Sequence, residues 1–250
     1  MKNELLKELD EQGGFNKRRQ FLKLSGMMVV GSGLMMACNN DDDDFIEIEP
    51  GVFDLGSGNL GILNYAYALE QLEAAFYTKV LDGSYWAGAP TNEKKILEDI
   101  YNHEVIHRDF FKTAITAVAP NDIVPTLEFN FSSVDFSSRA SVLETSKVLE
   151  DTGVKAYNGA GKLINVGDAA GLTYLLLAGK IVSVEARHAS AIRDLLNPLS
   201  EDFAGDDILI GLGGTAKAFD KAAEPSEVLT EVAATGFVVT KFTGNNLPTT

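Results

Sequence analysis

A chain of 250 residues, 45% of them hydrophobic, is long enough for one sizeable domain with a real core or for two small ones. Its formal net charge of −15, with no basic patch to neutralise phosphates, argues against a nucleic-acid partner. Most of that charge reads as an ordinary solvated acidic surface.

The N-terminus holds Arg18-Arg19-Gln20-Phe21-Leu22-Lys23, followed by the apolar run "MMVVGSGLMMAC". A charged stretch, a short apolar core and small residues make a targeting signal, and the run is too short to span a bilayer as a mature helix. The segment closely resembles a twin-arginine export signal. "LMMAC" resembles a lipobox, with Met35 and Met36 where Leu and a smaller residue are usual. Cleavage there makes Cys38, the single cysteine, a lipidated first residue, so the mature chain has no disulfide. Residues 1–37 are thus expected to be the signal. Residues 38–55, with "NNDDDD", are expected to be an acidic tether like that of surface-displayed lipoproteins in some double-membraned bacteria. The expected location is the cell envelope, periplasmic or at the outer-membrane surface, with membrane contact only through the lipid on Cys38.

Helical signals follow almost without break. The first predicted helix runs from about Asn59 to Val80. The second starts at Thr91 or Asn92, either of which can cap it, and stops before Pro120. The third covers about Ser137 to Tyr157 and ends in an Asn158-Gly159 turn. The fourth runs from about Asp168 to Leu196 and is stopped by Pro198.

Short links make helices one and two, and helices three and four, antiparallel hairpins. The link between helices two and three, "APNDIVPTLEFNFSSVDFS", has 19 residues. At ~3.3 Å per extended residue it reaches ~60 Å, whereas a 26-residue helix is only ~39 Å long. It can travel the full length of a bundle, which predicts an all-α four-helix bundle with one long crossover over residues 56–197. Residues 198–250 are expected to pack on it as a small C-terminal extension. Within them, "PSEVLTEVAA" reads as a helix capped by Ser226, "TGFVVTKF" as a strand or extended segment, and "LIGLGGTAKAFD" as a turn.

The chain has three histidines, and two of them close an E-x-x-H pattern: Glu104/His107 and Glu185/His188. Positions i and i+3 share a helical face, so each pair aims a carboxylate and an imidazole at one point. The halves also repeat as Glu70-x6-Tyr77 and Glu150-x6-Tyr157, with Glu70 to Glu104 spanning 34 residues and Glu150 to Glu185 spanning 35. Apolar neighbours put these groups on inward stripes, such as Ile181, Glu185, His188, Ile192 and Leu195. Four inward carboxylates are very costly unless paired, and two divalent cations would cancel them.

On these residues the chain resembles the ferritin-like di-metal carboxylate proteins, a group that includes rubrerythrins, bacterioferritins and manganese catalases. Its phrases "LEQLEAAFY", "LEDTGVKAY" and "VEARHASAIRDLL" are most similar to the branch containing plant desiccation-related proteins. The resemblance implies the ferritin-like four-helix bundle and six metal ligands: Glu70, Glu104, His107, Glu150, Glu185 and His188. It also implies that Glu104 and Glu185 bridge the metals. Tyr77 and Tyr157 are expected either to orient the opposite half's carboxylates or to be ordinary core tyrosines. Glu73 faces the same side as Glu70 but meets Gly153 in the repeat, so it is expected to support the ligands or to lie on the surface, with a place among the ligands as the lesser alternative. His103 points roughly 100° away from Glu104 and is expected beside the site or on the helix surface.

Mixed carboxylate and imidazole ligation suits iron or manganese. The expected cofactors are two such divalent ions. The expected activity is an oxidoreductase of the ferroxidase, peroxidase or catalase kind, with a small oxidant or a metal ion as substrate and the six ligands as the catalytic set. Two alternatives stand beside it. One is a non-catalytic stress-protection or binding module displayed at the surface, whose metal site is structural or vestigial. The other is a zinc peptidase reading of His103-Glu104-x-x-His107, with Glu185 or His188 as third ligand. The sequence is also compatible with a homo-oligomer.

Overall fold

The structure, a computed structural model, describes residues 52–211 and 216–250. The twin-arginine-like segment, Cys38 and the acidic run after it lie outside the described residues.

Four long helices carry the fold: α1 (Gly58–Asp82), α3 (Thr91–Val118), α4 (Arg139–Gly161) and α5 (Ala169–Leu196), with the single-turn α2 (Ser84–Gly88) between the first two. Helices α1 and α3 pack as one hairpin, and α4 and α5 as the other. Every residue of α1 from Gly61 to Ala74 is buried, as a helix that is apolar around most of its circumference requires. It is the central helix because the crossover covers the side that the other helices leave open.

The crossover runs alongside α1 in the same direction. Asn64 donates through Nδ2 to the Asp122 carbonyl at 2.7 Å and accepts from Val124 N–H at 2.9 Å. Two turns later Gln71 donates to the Pro125 carbonyl and accepts from Leu127 N–H. Phe131 and Phe136 then pack against Phe76, and Phe136 accepts from Tyr85 N–H just beyond the end of α1. The link therefore delivers the chain to the far end of the bundle before α4 begins, as its length predicted. Asn64 and Gln71 supply partners for the extended backbone of residues 122–127, before the crossover makes an antiparallel bridge with the C-terminal segment at Phe129 and Val238.

Several helix ends differ from expectation. Helix α3 begins after Pro90 with no side-chain cap from Thr91 or Asn92. Glu93 in its first turn is instead drawn inward, where it accepts from the Tyr85 hydroxyl and pairs with Arg139 at 2.9 Å. Helix α4 does not stop at Tyr157 but continues to Gly161. Asn158 bonds back to the Val154 carbonyl at 2.9 Å, and Gly159 is a point of close approach. A Cβ there would stand 1.7 Å from the Ala223 carbonyl oxygen. At the start of α5, Asp168 accepts from Gly171 N–H at 2.7 Å, a side-chain cap.

The C-terminal segment packs on the bundle. Strand β2 (Leu209–Ile210) pairs antiparallel with β3 (Phe219–Asp220), where a turn alone was expected. Helix α6 (Pro225–Thr235) starts at a proline after Glu224, with Ser226 inside its first turn and not at its cap. It buries Val228 and Val232. Strand β4 (Phe242–Thr243) pairs in parallel with β1 (Phe53–Asp54), and Leu55 is fully buried. The stretch expected to be tether thus joins the fold at its last residues, because Phe53 and Leu55 have core to pack against. Arg193 holds Asp151 at 2.6 Å and Asp207 at 2.8 Å, linking the two hairpin helices to the extension.

Candidate metal centre

The six residues singled out by the repeat converge in the middle of the bundle. Glu70 comes from α1, Glu104 and His107 from α3, Glu150 from α4, and Glu185 and His188 from α5. The four carboxylates are fully buried. Their donor atoms form two overlapping sets, Glu70/Glu104/His107/Glu185 and Glu104/Glu150/Glu185/His188, each within 4.8 Å. Glu104 and Glu185 belong to both sets, which is the placement a bridging pair needs.

In the first set, His107 Nδ1 lies 3.2 Å from Glu185, 3.4 Å from Glu70 and 3.4 Å from Glu104. In the second, His188 Nδ1 lies 2.8 Å from Glu104 and 3.2 Å from Glu150. Bonds of ~2.1 Å to one ion at right to tetrahedral angles place neighbouring donors about 3.0–3.4 Å apart. Both carboxylate oxygens of Glu104 and of Glu185, one of Glu70, and His107 Nδ1 are buried without a hydrogen-bond partner. A single N–H cannot serve three carboxylates, whereas a cation can. The residues present therefore fit a pair of divalent ions.

Two tyrosines tie the halves together. Tyr77 of α1 donates to Glu150 of α4, and Tyr157 of α4 donates to Glu70 of α1. Each carboxylate thus keeps one oxygen oriented by the opposite hairpin, as one of the two sequence readings foresaw. Such partners fix ligand geometry.

The electrostatics describe a site crowded with negative charge. Burial pushes Glu70 up to about 7, even though the nearby His107 and the Tyr157 hydroxyl favour its charged form. Burial and the Glu104 charge hold Glu185 well above the carboxylate range, and burial raises Glu150. Glu104 is the exception. Burial works against its charge, but His107 and His188 outweigh it and hold its carboxyl at about 2. Burial also opposes charge on the imidazoles, yet Glu150 and Glu104 raise His188 to about 11, and Glu104, Glu185 and Glu70 raise His107 well above its ordinary value. Without cations the site binds protons in their stead.

The surface alternative for Glu73 is not what the structure shows. Glu73 is 3% exposed, with one carboxylate oxygen lacking a hydrogen-bond partner. Burial and the Glu185 charge hold it well above its ordinary range. It fits there because the repeat breaks at Gly153, where a Cβ would meet Glu185 Oε2 at 2.9 Å and Glu73 Oε1 at 3.2 Å. The signal was present in the sequence: Glu73 sits at i+3 from Glu70, opposite a glycine in mid-helix.

His103 stands outside both donor sets. It is exposed, and its Nδ1 lies 2.9 Å from His188 Nε2. The peptidase reading needs His103 and His107 as co-ligands, and the His103 ring instead faces the far side of His188. Trp86 and Phe110 pack against the core, and Phe111 lies within it.

No curated protein matches the chain. The family described as "Ferritin-like domain" matches residues 58–198. That span covers more than half of the chain, from the first residue of α1 to just past the end of α5, and the chain therefore belongs to the ferritin-like domain family.

Proposed function

We propose that the protein binds two divalent ions, iron or manganese, and uses them as an oxidoreductase acting on oxygen, peroxide or ferrous iron. The observation that carries this reading is the pair of donor sets sharing Glu104 and Glu185. Glu70 and His107 would complete one ion's ligands, and Glu150 and His188 the other's. The ions would supply one- and two-electron chemistry between oxygen species and the protein. The chain's own residues hold the geometry. Tyr77 and Tyr157 orient the two terminal carboxylates, and the helices exclude bulk water. An apolar cavity beside the site is lined in part by Leu63, Ala66, Phe111 and Tyr157.

The decisive experiment is elemental analysis of the chain produced with iron and manganese both supplied, followed by oxygen, peroxide and ferrous-oxidation assays. About two iron or manganese ions per chain, lost in Glu104→Ala and Glu185→Ala, with turnover in one assay, supports the proposal. One zinc per chain dependent on His103 would revive the peptidase reading. A second reading rests on the fact that the ligands come from all four long helices: the metals brace the bundle and do no chemistry. Two bound ions without turnover, together with unfolding on chelation, would establish bracing.

The proposal extends to location. The twin-arginine-like and lipobox-like segments support export and anchoring through a lipid on Cys38 at the cell envelope. Retention of the membrane fraction by Cys38→Ser would count against the anchor.

A further inference from the structure

Within the metal-centre reading, on which this inference rests, we propose that His103 is a positioning residue: its Nδ1 accepts the Nε2–H of His188 and so keeps His188 Nδ1 free to bind a cation. The two rings lie within 10° of parallel, with centroids 5.1 Å apart, and the two nitrogens are 2.9 Å apart. His188 presents Nδ1 to Glu104 at 2.8 Å and to Glu150 at 3.2 Å, so its two nitrogens face opposite environments.

A neutral imidazole carries one proton, so one nitrogen donates and the other accepts. A cation on Nδ1 places the proton of His188 on Nε2, where the His103 Nδ1 receives it. His103 then carries its own proton on Nε2. In the opposite arrangement His103 Nδ1 donates, His188 is protonated at Nδ1, and the lone pair needed by the metal is gone. The tautomer of an exposed histidine thus decides whether a buried one is a ligand. Metal-bound histidines as a rule donate their second N–H to a carboxylate, carbonyl or water, and losing that partner weakens the site. Here the partner is a second imidazole.

The internal repeat makes the inference local to one ion. His103 lies four residues before His107 and reaches across to His188. The corresponding residue before His188 is Val184, which has no side-chain acceptor to offer His107. The two halves match in their ligands and differ in this support, so the ion held by His188 depends on His103 and the ion held by His107 does not.

The test is a titration of the chelator-stripped full chain with Mn(II), with unbound ion followed by its electron paramagnetic resonance signal. Two variants are compared with the unaltered protein. His103→Phe keeps a flat ring and removes the acceptor, and His103→Asn restores an acceptor oxygen close to the place of Nδ1. The expected result is two ions for the unaltered protein. His103→Phe should bind one ion normally and the second roughly 10- to 100-fold more weakly, and His103→Asn should recover most of that loss. Two ions bound at unchanged affinity by His103→Phe would overturn the proposal, as would a His103→Asn no better than His103→Phe. Fewer than two ions in the unaltered protein would overturn the two-metal reading itself, an outcome visible before any variant is examined.

Discussion

Glu70→Gln keeps the shape of a buried carboxylate and removes its charge, so it measures what the site costs the metal-free fold. Burial lifts the Glu70 carboxyl from 4.5 to about 7. A raised carboxyl keeps its proton in the folded chain while the unfolded chain has lost it. The metal-free protein therefore loses stability as pH rises from 4.5 to about 7, by about 3 kcal/mol once both states are ionised. Glutamine has no proton to lose, and its carbonyl can still accept from Tyr157. In chelator at pH 8, Glu70→Gln should be more stable than the unaltered protein by up to about 3 kcal/mol. At 2–4 °C per kcal/mol that is a rise of up to roughly 6–12 °C in Tm, shrinking toward zero near pH 4.5. With Mn(II) present the order should reverse, because the variant has lost a donor from the His107 set and gains less from binding. Thermal unfolding followed by circular dichroism at both pH values, with chelator and with Mn(II), reads all four cases. A variant destabilised equally at both pH values, or one stabilised by Mn(II) as much as the unaltered protein, would refute the argument that buried charge without cations strains this site.

Glu104→Gln should behave in the opposite way: His107 and His188 hold the Glu104 carboxyl at about 2, so its stabilisation is present above pH 4.5 and disappears as pH falls through about 2. Its loss should cost the metal-free chain about 3 kcal/mol at pH 7, and elemental analysis should find both ions reduced, since Glu104 belongs to both donor sets. Gly153→Ala improves helix propensity by ~1 kcal/mol, but its Cβ would stand 2.9 Å from Glu185 Oε2. The metal-free chain should melt no lower than the unaltered protein while its metal content drops; full occupancy would show that Glu185 has room to move. Tyr77→Phe and Tyr157→Phe each leave one carboxylate without its donor. Each should weaken metal binding about tenfold, and unchanged Mn(II) affinity in both would reduce the tyrosines to core packing. Loading the site at pH 7.5 should release protons, because His107 and His188 are held protonated by their carboxylates and a cation must displace them. An indicator dye in weak buffer should register about two or more protons per chain; no release would show that the imidazoles are not ligands.

The internal repeat was legible in the sequence because the chemistry of the site is helical chemistry. A carboxylate and an imidazole at i and i+3 share a face whatever surrounds them, so Glu104/His107 and Glu185/His188 could be paired by spacing alone. The crossover was legible for a similar reason: 19 residues between two helices can span a bundle, and the length limits the topology. Helix ends were less legible, since contacts between distant segments set them. The close approach of Gly159 to Ala223 and the inward turn of Glu93 toward Arg139 involve residues more than forty positions apart, and no local propensity encodes them.

The sequence by itself determined the four helices with their long crossover, the two E-x-x-H pairs and the Glu-x6-Tyr repeat, because these follow from spacing and periodicity along each helix; the ferritin-like family and the six-ligand set entered through resemblance. Only the tertiary structure decided the rest. It placed Glu73 inside the site, since burial there depends on the missing side chain of Gly153 on another helix. It joined Tyr77 and Tyr157 to the opposite half's carboxylates, and it put His103 against the outer nitrogen of His188. Each of these depends on how the two hairpins sit face to face. That relation is set by packing across the whole bundle, and periodicity along one helix carries no information about it.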